Sequence, residues 1–125
     1  MAVEQGARAA IELVVGEADT AIALKSGDVP VLATPRLVAL CEEATCRALA
    51  EHLESGQTSV GMRVQLDHLA PTAVGASVRA EAQVEKVEGR RVTFTVSAHD
   101  PRGLVAVGRV TRVIVDSQRF LDGLK

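Results

Sequence analysis

Three side chains in this sequence have types and positions that suit acid–base or nucleophilic chemistry: Thr34, Glu42 and His68. Glu42 lies on a predicted helix among mostly apolar neighbours, where a carboxylate is costly to bury unless it is paired or working. A desolvated carboxylate is also a stronger base than an exposed one. The competing structural interpretation is a carboxylate at the rim of the apolar face, and the helical pattern alone leaves both open.

His68 and Thr34 allow the same two interpretations. His68 alternates with apolar residues on a strand face that we expect to be buried, where a lone histidine is often just a hydrogen-bonded core residue. Thr34 is predicted to cap a helix N-terminus, and a hydroxyl there lies near free backbone N–H groups that could bind an oxyanion. These residues are therefore candidates, each with an ordinary structural role as its alternative.

The remaining reactive side chains predict no metal or phosphate site. His52 falls in the last turn of the helix and His99 lies on a polar strand face, so both are assigned structural roles. Cys41 and Cys46 are not a CxxC pair, and five residues along a helix separate them too widely for a disulfide. The sequence has no Walker loop, GxGxxG or GxSxG motif.

Composition narrows the class of protein further. Fourteen basic and sixteen acidic residues give a net charge of −2, and the basic residues are scattered, so nucleic-acid binding is not expected. No apolar run approaches the roughly 18 residues of a membrane span, and residues 1–6 do not resemble a signal peptide. With reduced cysteines, this pattern favours a cytoplasmic protein.

The elements that would position the candidates read as an α+β layout in one domain, residues 1–125. Strand 9–15 and an irregular segment 17–30 precede a helix over 34–53, with Thr34 as N-cap, Pro35 at the first helical position and Gly56 beyond the end. Four strands follow. They are predicted over residues 60–68, 77–87, 92–99 and 104–116. Turns at Gly89 and Gly103 favour an antiparallel sheet across which the helix lies.

Residues 31–42 resemble the loop and helix start of fluoroacetyl-CoA-thioesterase-like hotdog proteins, in which a Thr opens the helix and a Glu follows eight residues later. Residues 61–70, with His68 placed 26 residues after Glu42, resemble that family's next strand. Residues 87–92 and 96–100 also match, so the resemblance extends over about residues 31–116. It implies the hotdog fold, a long central helix wrapped by a curved antiparallel sheet.

The resemblance also implies an activity, hydrolysis of a small acyl-CoA thioester to acid and CoA. Glu42 would be the nucleophile or the base for water, His68 would orient the acyl group or move a proton, and Thr34 would position Glu42 or the thioester. Gly61 would lie near the thioester carbonyl. The family's sites lie between two subunits, so a homodimer is implied, and no cofactor is needed because coenzyme A is part of the substrate.

The acyl pocket departs from the family pattern. The family's fluoroacetyl-specific enzyme has aromatic residues in the segment before the helix, whereas residues 25–32 here contain none. Fluoroacetyl selectivity is therefore not expected, and Val29, Val31 and Leu32 are predicted to line a pocket for another acyl group. Arg63, Arg79, Arg90 and Arg91 are candidates for contacting the CoA phosphates.

Two other functions compete with hydrolysis. A non-catalytic acyl-CoA-binding module, acting as a sensor or carrier, would have little need for an acid on the apolar strip. A hotdog hydratase would pair an Asp and a His within a strand-to-helix motif, whereas Asp67 and His68 are adjacent in one strand and point to opposite faces.

Overall fold

A five-stranded antiparallel sheet packs against one long helix in the computed structural model, which describes residues 3–125. The strands are β1 (Arg8–Val14), β2 (Gln57–His68), β3 (Ser77–Glu88), β4 (Arg91–Asp100) and β5 (Gly103–Asp116). The helices are α1 (Thr34–Leu49) and the short C-terminal α2 (Ser117–Asp122). The strand order β1-β3-β4-β5-β2 leaves β1 and β2 as edges. The predicted α+β layout, with one helix on an antiparallel sheet, is confirmed.

The core lies between α1 and the sheet. On β3 the buried residues alternate strictly with exposed ones, as predicted from Val78, Ala80, Ala82 and Val84. Small residues on the sheet allow the helix to approach closely, and aliphatic side chains supply most of the buried volume. Phe94 is fully buried and is the largest of these side chains.

The helix start differs from the prediction. Ala33, not Thr34, is the N-cap residue, and Pro35 therefore occupies the second helical position. The Thr34 hydroxyl contacts a side chain of β2 instead of capping the helix. The helix also ends at Leu49 and continues only as a 3-10 turn, Ala50–His52. Element ends of this kind often differ by one or two residues from a pattern-based assignment.

The expectation that one face of β2 is buried is wrong for its middle. Met62 is 47% exposed and Val64 is 37% exposed. The pairing of β2 with β5 shifts register between Gly61 and Arg63, which interrupts the alternation at Met62. As an edge strand, β2 has no neighbour on its outer side among residues 3–125.

The segment between β1 and α1 is bound to its surroundings by backbone contacts. It begins with a 3-10 turn, Glu17–Asp19, and Thr20 then pairs with Leu32. The Ala21 N–H donates to the Val31 carbonyl at 2.9 Å, so residues 22–30 form a loop whose two ends are hydrogen-bonded to each other. Among residues 3–125, no helix is long and apolar enough to cross a membrane.

Candidate active site

Thr34 and His68 form one half of the candidate site. Thr34 is the first residue of α1 and His68 is the last residue of β2, so the ends of two elements bring them together. The Thr34 Oγ1 and the His68 Nδ1 are 2.7 Å apart, a short hydrogen bond whose direction depends on the imidazole tautomer. A hydroxyl bonded to an imidazole nitrogen is the arrangement of a nucleophile and its base.

The other ring nitrogen of His68 is poorly satisfied. Nε2 is buried and has no hydrogen-bond partner among the residues the structure describes. If Nδ1 accepts the Thr34 proton, Nε2 carries the hydrogen and needs an acceptor. Because buried polar atoms are nearly always paired, this nitrogen has capacity for one further hydrogen bond.

Glu42 and Gly61 form the other half of the site. A Cβ added at Gly61 would lie 2.8 Å from the Glu42 Oε2, so the carboxylate rests directly on the glycine backbone. Glu42 lies in the third turn of α1 and is half-buried at the rim of the apolar face. The structure thus shows the Glu42 carboxylate closely approaching Gly61, while the thioester carbonyl expected near Gly61 stays a prediction.

Arg112 is the residue that the sequence analysis missed. Its Nη1 lies 3.5 Å from the Glu42 Oε2, and only 7% of the residue is exposed. Ser59 on β2 binds the guanidinium twice. The Arg112 Nε donates to the Ser59 Oγ at 2.8 Å, and the Arg112 Nη2 donates to the Ser59 backbone carbonyl at 3.1 Å. The available signal was a charged residue within a Val-rich strand, since a buried charge must be paired.

The two halves are separate within one chain. Eight residues of helix place the Cα atoms of Thr34 and Glu42 about 12 Å apart along the axis. No hydrogen bond or ion pair joins either of these residues to the other half anywhere in residues 3–125. The structure therefore groups the four predicted residues as two pairs, Thr34 with His68 and Glu42 with Gly61.

The predicted acyl contacts lie in the segment before α1. Val31 is half-buried and pairs with Ala73, whereas Leu32 is 1% exposed and belongs to the hydrophobic core. The Leu32 N–H donates to the Thr72 carbonyl at 2.9 Å, and this bond fixes the backbone at Leu32. Of the two, Val31 has the more accessible side chain.

The thiol next to Glu42 is an unsuitable nucleophile. Cys41 is fully buried, and burial, with a smaller contribution from the Glu42 charge, raises the pKa of its thiol to about 11. Because the thiolate is the reactive form, Cys41 is inert at neutral pH. Both cysteines are free, as predicted, and Cys46 is exposed.

The other candidate groups lie elsewhere. His99 is exposed as predicted, and His52 has a buried Nδ1 without a partner in the described part of the chain. Across residues 3–125, no three His, Cys, Asp or Glu side chains cluster as metal ligands would. The four arginines predicted to contact CoA phosphates are all exposed, and one of them, Arg79, pairs with Glu81 at 3.3 Å.

Comparison with a family model and with a relative of known activity identifies the same family of proteins. The family model described as fluoroacetyl-CoA-specific thioesterase (FlK) matches residues 15–118. The fluoroacetyl-CoA thioesterase of Streptantibioticus cattleyicolor is 38% identical over 90 residues, which are 72% of this chain. That match spans 65% of the relative's own length, slightly less than two thirds.

The solved structures extend the likeness to the whole described fold. That of the fluoroacetyl-CoA thioesterase FlK aligns with a TM-score of 0.93 at 31% identity, over 99% of this chain and 96% of that one. A variant of FlK in complex with fluoroacetate and CoA aligns with a TM-score of 0.88 at 32% identity, over 94% and 98% of the two chains. The fold is therefore the hotdog fold, as the resemblance implied.

Proposed function

Since the chain belongs to the fluoroacetyl-CoA-specific thioesterase family, a family of thioester hydrolases, we propose that it hydrolyses a small acyl-CoA to the free acid and CoA. The observation that carries this proposal is the 2.7 Å contact between the Thr34 hydroxyl and the His68 imidazole. A pure binding module would have no use for a hydroxyl activated by a base.

In the proposed first step, the Thr34 Oγ1 attacks the thioester carbonyl while His68 Nδ1 takes the hydroxyl proton. The carbon–sulfur bond then breaks, and the proton passes to the CoA sulfur. The first turn of α1 contributes backbone N–H groups that lack intrahelical acceptors and can stabilise the oxyanion. The product of this step is an acyl ester on Thr34.

Glu42 is proposed as the base that activates water for release of the acid. Arg112 and Gly61 fix its carboxylate from two sides, which suits a group that must be held in one place. The alternative is that Glu42 acts directly on the thioester, as nucleophile or as base for water, while Thr34 only positions the substrate. Both routes use side chains alone, so no cofactor enters the proposal.

The separation of the two halves of the site favours a homodimer. Edge strand β2 has exposed apolar side chains and is free to pair with a second copy of itself. Antiparallel pairing about a twofold axis at Gln65, with Met62 as the extra bulge residue, would place Gly61 of one copy opposite His68 of the partner subunit. Glu42 of one copy would then approach the Thr34–His68 pair of the other.

Mixing two inactive variants tests this arrangement. Thr34→Ala and Glu42→Ala homodimers would be unfolded, mixed and refolded together. If each site draws Thr34 and Glu42 from different subunits, one site in each mixed dimer is intact, and about a quarter of the parent activity returns. If one subunit supplies both residues, every site stays defective and mixing restores nothing.

We propose an aliphatic acyl group as the substrate. The segment before α1 offers Val29, Val31 and Leu32 and no aromatic side chain. Val29 is 51% exposed, and Leu32, as a core residue, would reach the acyl group only from the floor of the pocket.

We also propose that the protein acts in the cytoplasm, because both cysteines are free.

The deciding experiment is a thiol-release assay with short, medium, branched and aryl acyl-CoA esters, with Glu42→Ala and His68→Ala measured in parallel. Turnover of an aliphatic ester that both variants lose supports the proposal. Stoichiometric binding of an ester without turnover would replace it with the acyl-CoA-binding module.

A further inference from the structure

Asp19 holds the start of α1 from a different segment of the chain. Its backbone carbonyl accepts the Ala33 N–H at 2.9 Å, and its Oδ1 accepts the Arg36 Nε at 2.9 Å. Ala33 immediately precedes Thr34, and Arg36 lies two residues after it. The two bonds from Asp19 therefore reach the chain on both sides of Thr34.

The helix start has no equivalent support of its own. Its N-cap residue is alanine, which makes no side-chain capping bond, and the first turn contains no acidic residue. A negative charge is favourable at a helix N-terminus because the backbone N–H groups point outward there. The Asp19 carboxylate brings a negative charge to the first turn from outside the helix, through its ion pair with Arg36.

Asp19 is itself fixed in place. Its Oδ2 accepts the Gly16 N–H at 2.8 Å, which closes the 3-10 turn at the end of β1. The Gly16 bond and, more weakly, the Arg36 guanidinium lower the pKa of the Asp19 carboxyl, so it stays charged at neutral pH. The side chains of Asp19 and Arg36 are only 18% and 27% exposed, so solvent competes little for the contact.

We infer that Asp19 is a positioning residue for catalysis: through Ala33 and Arg36 it sets the position of the Thr34 hydroxyl relative to His68. This inference rests on the proposed function, because positioning matters only if Thr34 reacts. Small displacements of a reacting group have large kinetic effects, whereas its contribution to substrate affinity is small. Asp19 therefore acts on kcat rather than on KM.

The test measures two variants that weaken the contact in different ways. Asp19→Asn removes the charge, and Arg36→Met removes only the ion pair while leaving the Gly16 and Ala33 bonds. We expect kcat to fall about tenfold or more in Asp19→Asn and less in Arg36→Met, with KM within about twofold of the parent. Arg36→Lys, which restores a cation, should recover part of the loss.

A second readout is independent of activity. The ¹⁵N chemical shifts of the His68 ring report its bond to Thr34, and in Asp19→Asn they should move toward those of Thr34→Ala. Glu17→Gln, an exposed acid in the same 3-10 turn, should leave both kcat and the ring shifts unchanged. Should Asp19→Asn fail to fold, Arg36→Met decides the question alone.

Parent values of kcat and of the His68 shifts in both Asp19→Asn and Arg36→Met would overturn the inference. If the parent protein hydrolyses no ester, the proposed function fails, yet the ring shifts still show whether Asp19 positions Thr34.

Discussion

The Thr34 Oγ1 and the His68 Nδ1 are 2.7 Å apart, although 34 residues separate them in the chain. The contact joins the N-terminus of α1 to the C-terminus of β2, so it depends on how the helix is seated on the sheet. Within one chain the Thr34 hydroxyl therefore bonds to the imidazole and not to Glu42, which was one of the two groups that Thr34 was predicted to position.

Thr34 should be the residue that carries the acyl group. Thr34→Ala is expected to lower kcat about a hundredfold or more, because the proposed nucleophile is lost. Thr34→Ser keeps the hydroxyl and should retain most of the activity. Rapid quenching followed by intact-mass spectrometry should detect an acyl adduct in the parent and none in Thr34→Ala. Full activity in Thr34→Ala would assign the chemistry to Glu42 and water.

Gly61 should tolerate no side chain. Gly61→Ala places a Cβ 2.8 Å from the Glu42 Oε2, so the carboxylate must move, and kcat is expected to fall about ten- to hundredfold. Gly123→Ala is a matched control, because its Cβ meets only backbone atoms at ordinary contact distances of 3.5 Å and beyond. Equal kcat values in the two variants would mean that the position of Glu42 does not matter.

Arg112 should contribute to the stability of the folded chain. Arg112→Met leaves the Glu42 carboxylate and the Ser59 carbonyl without their partner, and is expected to lower the free energy of unfolding by about 1–3 kcal/mol. Urea unfolding followed by circular dichroism measures this loss. Arg109→Met, at an exposed ion pair with Glu85, is the control, and a comparable loss there would show that burial of Arg112 contributes nothing.

Cys41 should make the free energy of unfolding depend on pH in the alkaline range. Its pKa is about 11 in the folded chain against a usual value of 9.0, so the folded state holds the thiol proton more tightly. The stabilisation is complete below pH 9.0 and is lost as the pH rises toward 11, by about 2–3 kcal/mol in total. Cys41→Ala should show a flatter dependence over this range in urea unfolding. Parallel curves for the two proteins would contradict the raised pKa.

The sequence was most informative where a pattern repeats. The alternation on β3 and the apolar face of α1 determine the core, because hydrophobic burial and strand geometry both follow from residue spacing. Family resemblance selected Thr34, Glu42, Gly61 and His68, and comparison with known proteins confirmed the family. Their catalytic roles remain predictions.

Long-range contacts were not predictable in this way. The Arg112–Glu42 pair depends on the register between β2 and β5, and the Asp19–Arg36 pair depends on the path of an irregular segment. Neither has a signature in local spacing. The prediction of Thr34 as N-cap was wrong for a related reason. The preference of threonine for the N-cap position is local, whereas in the structure its hydroxyl bonds to His68, which is distant in sequence.

The aliphatic core has an optical consequence. Phe94 is the only aromatic side chain buried in it, Phe120 is the only other Phe, and the chain has no Trp or Tyr. The protein is therefore almost transparent in the near ultraviolet and has no useful intrinsic fluorescence. Adenine absorption from a bound or released CoA can thus be recorded directly, against almost no background from the protein.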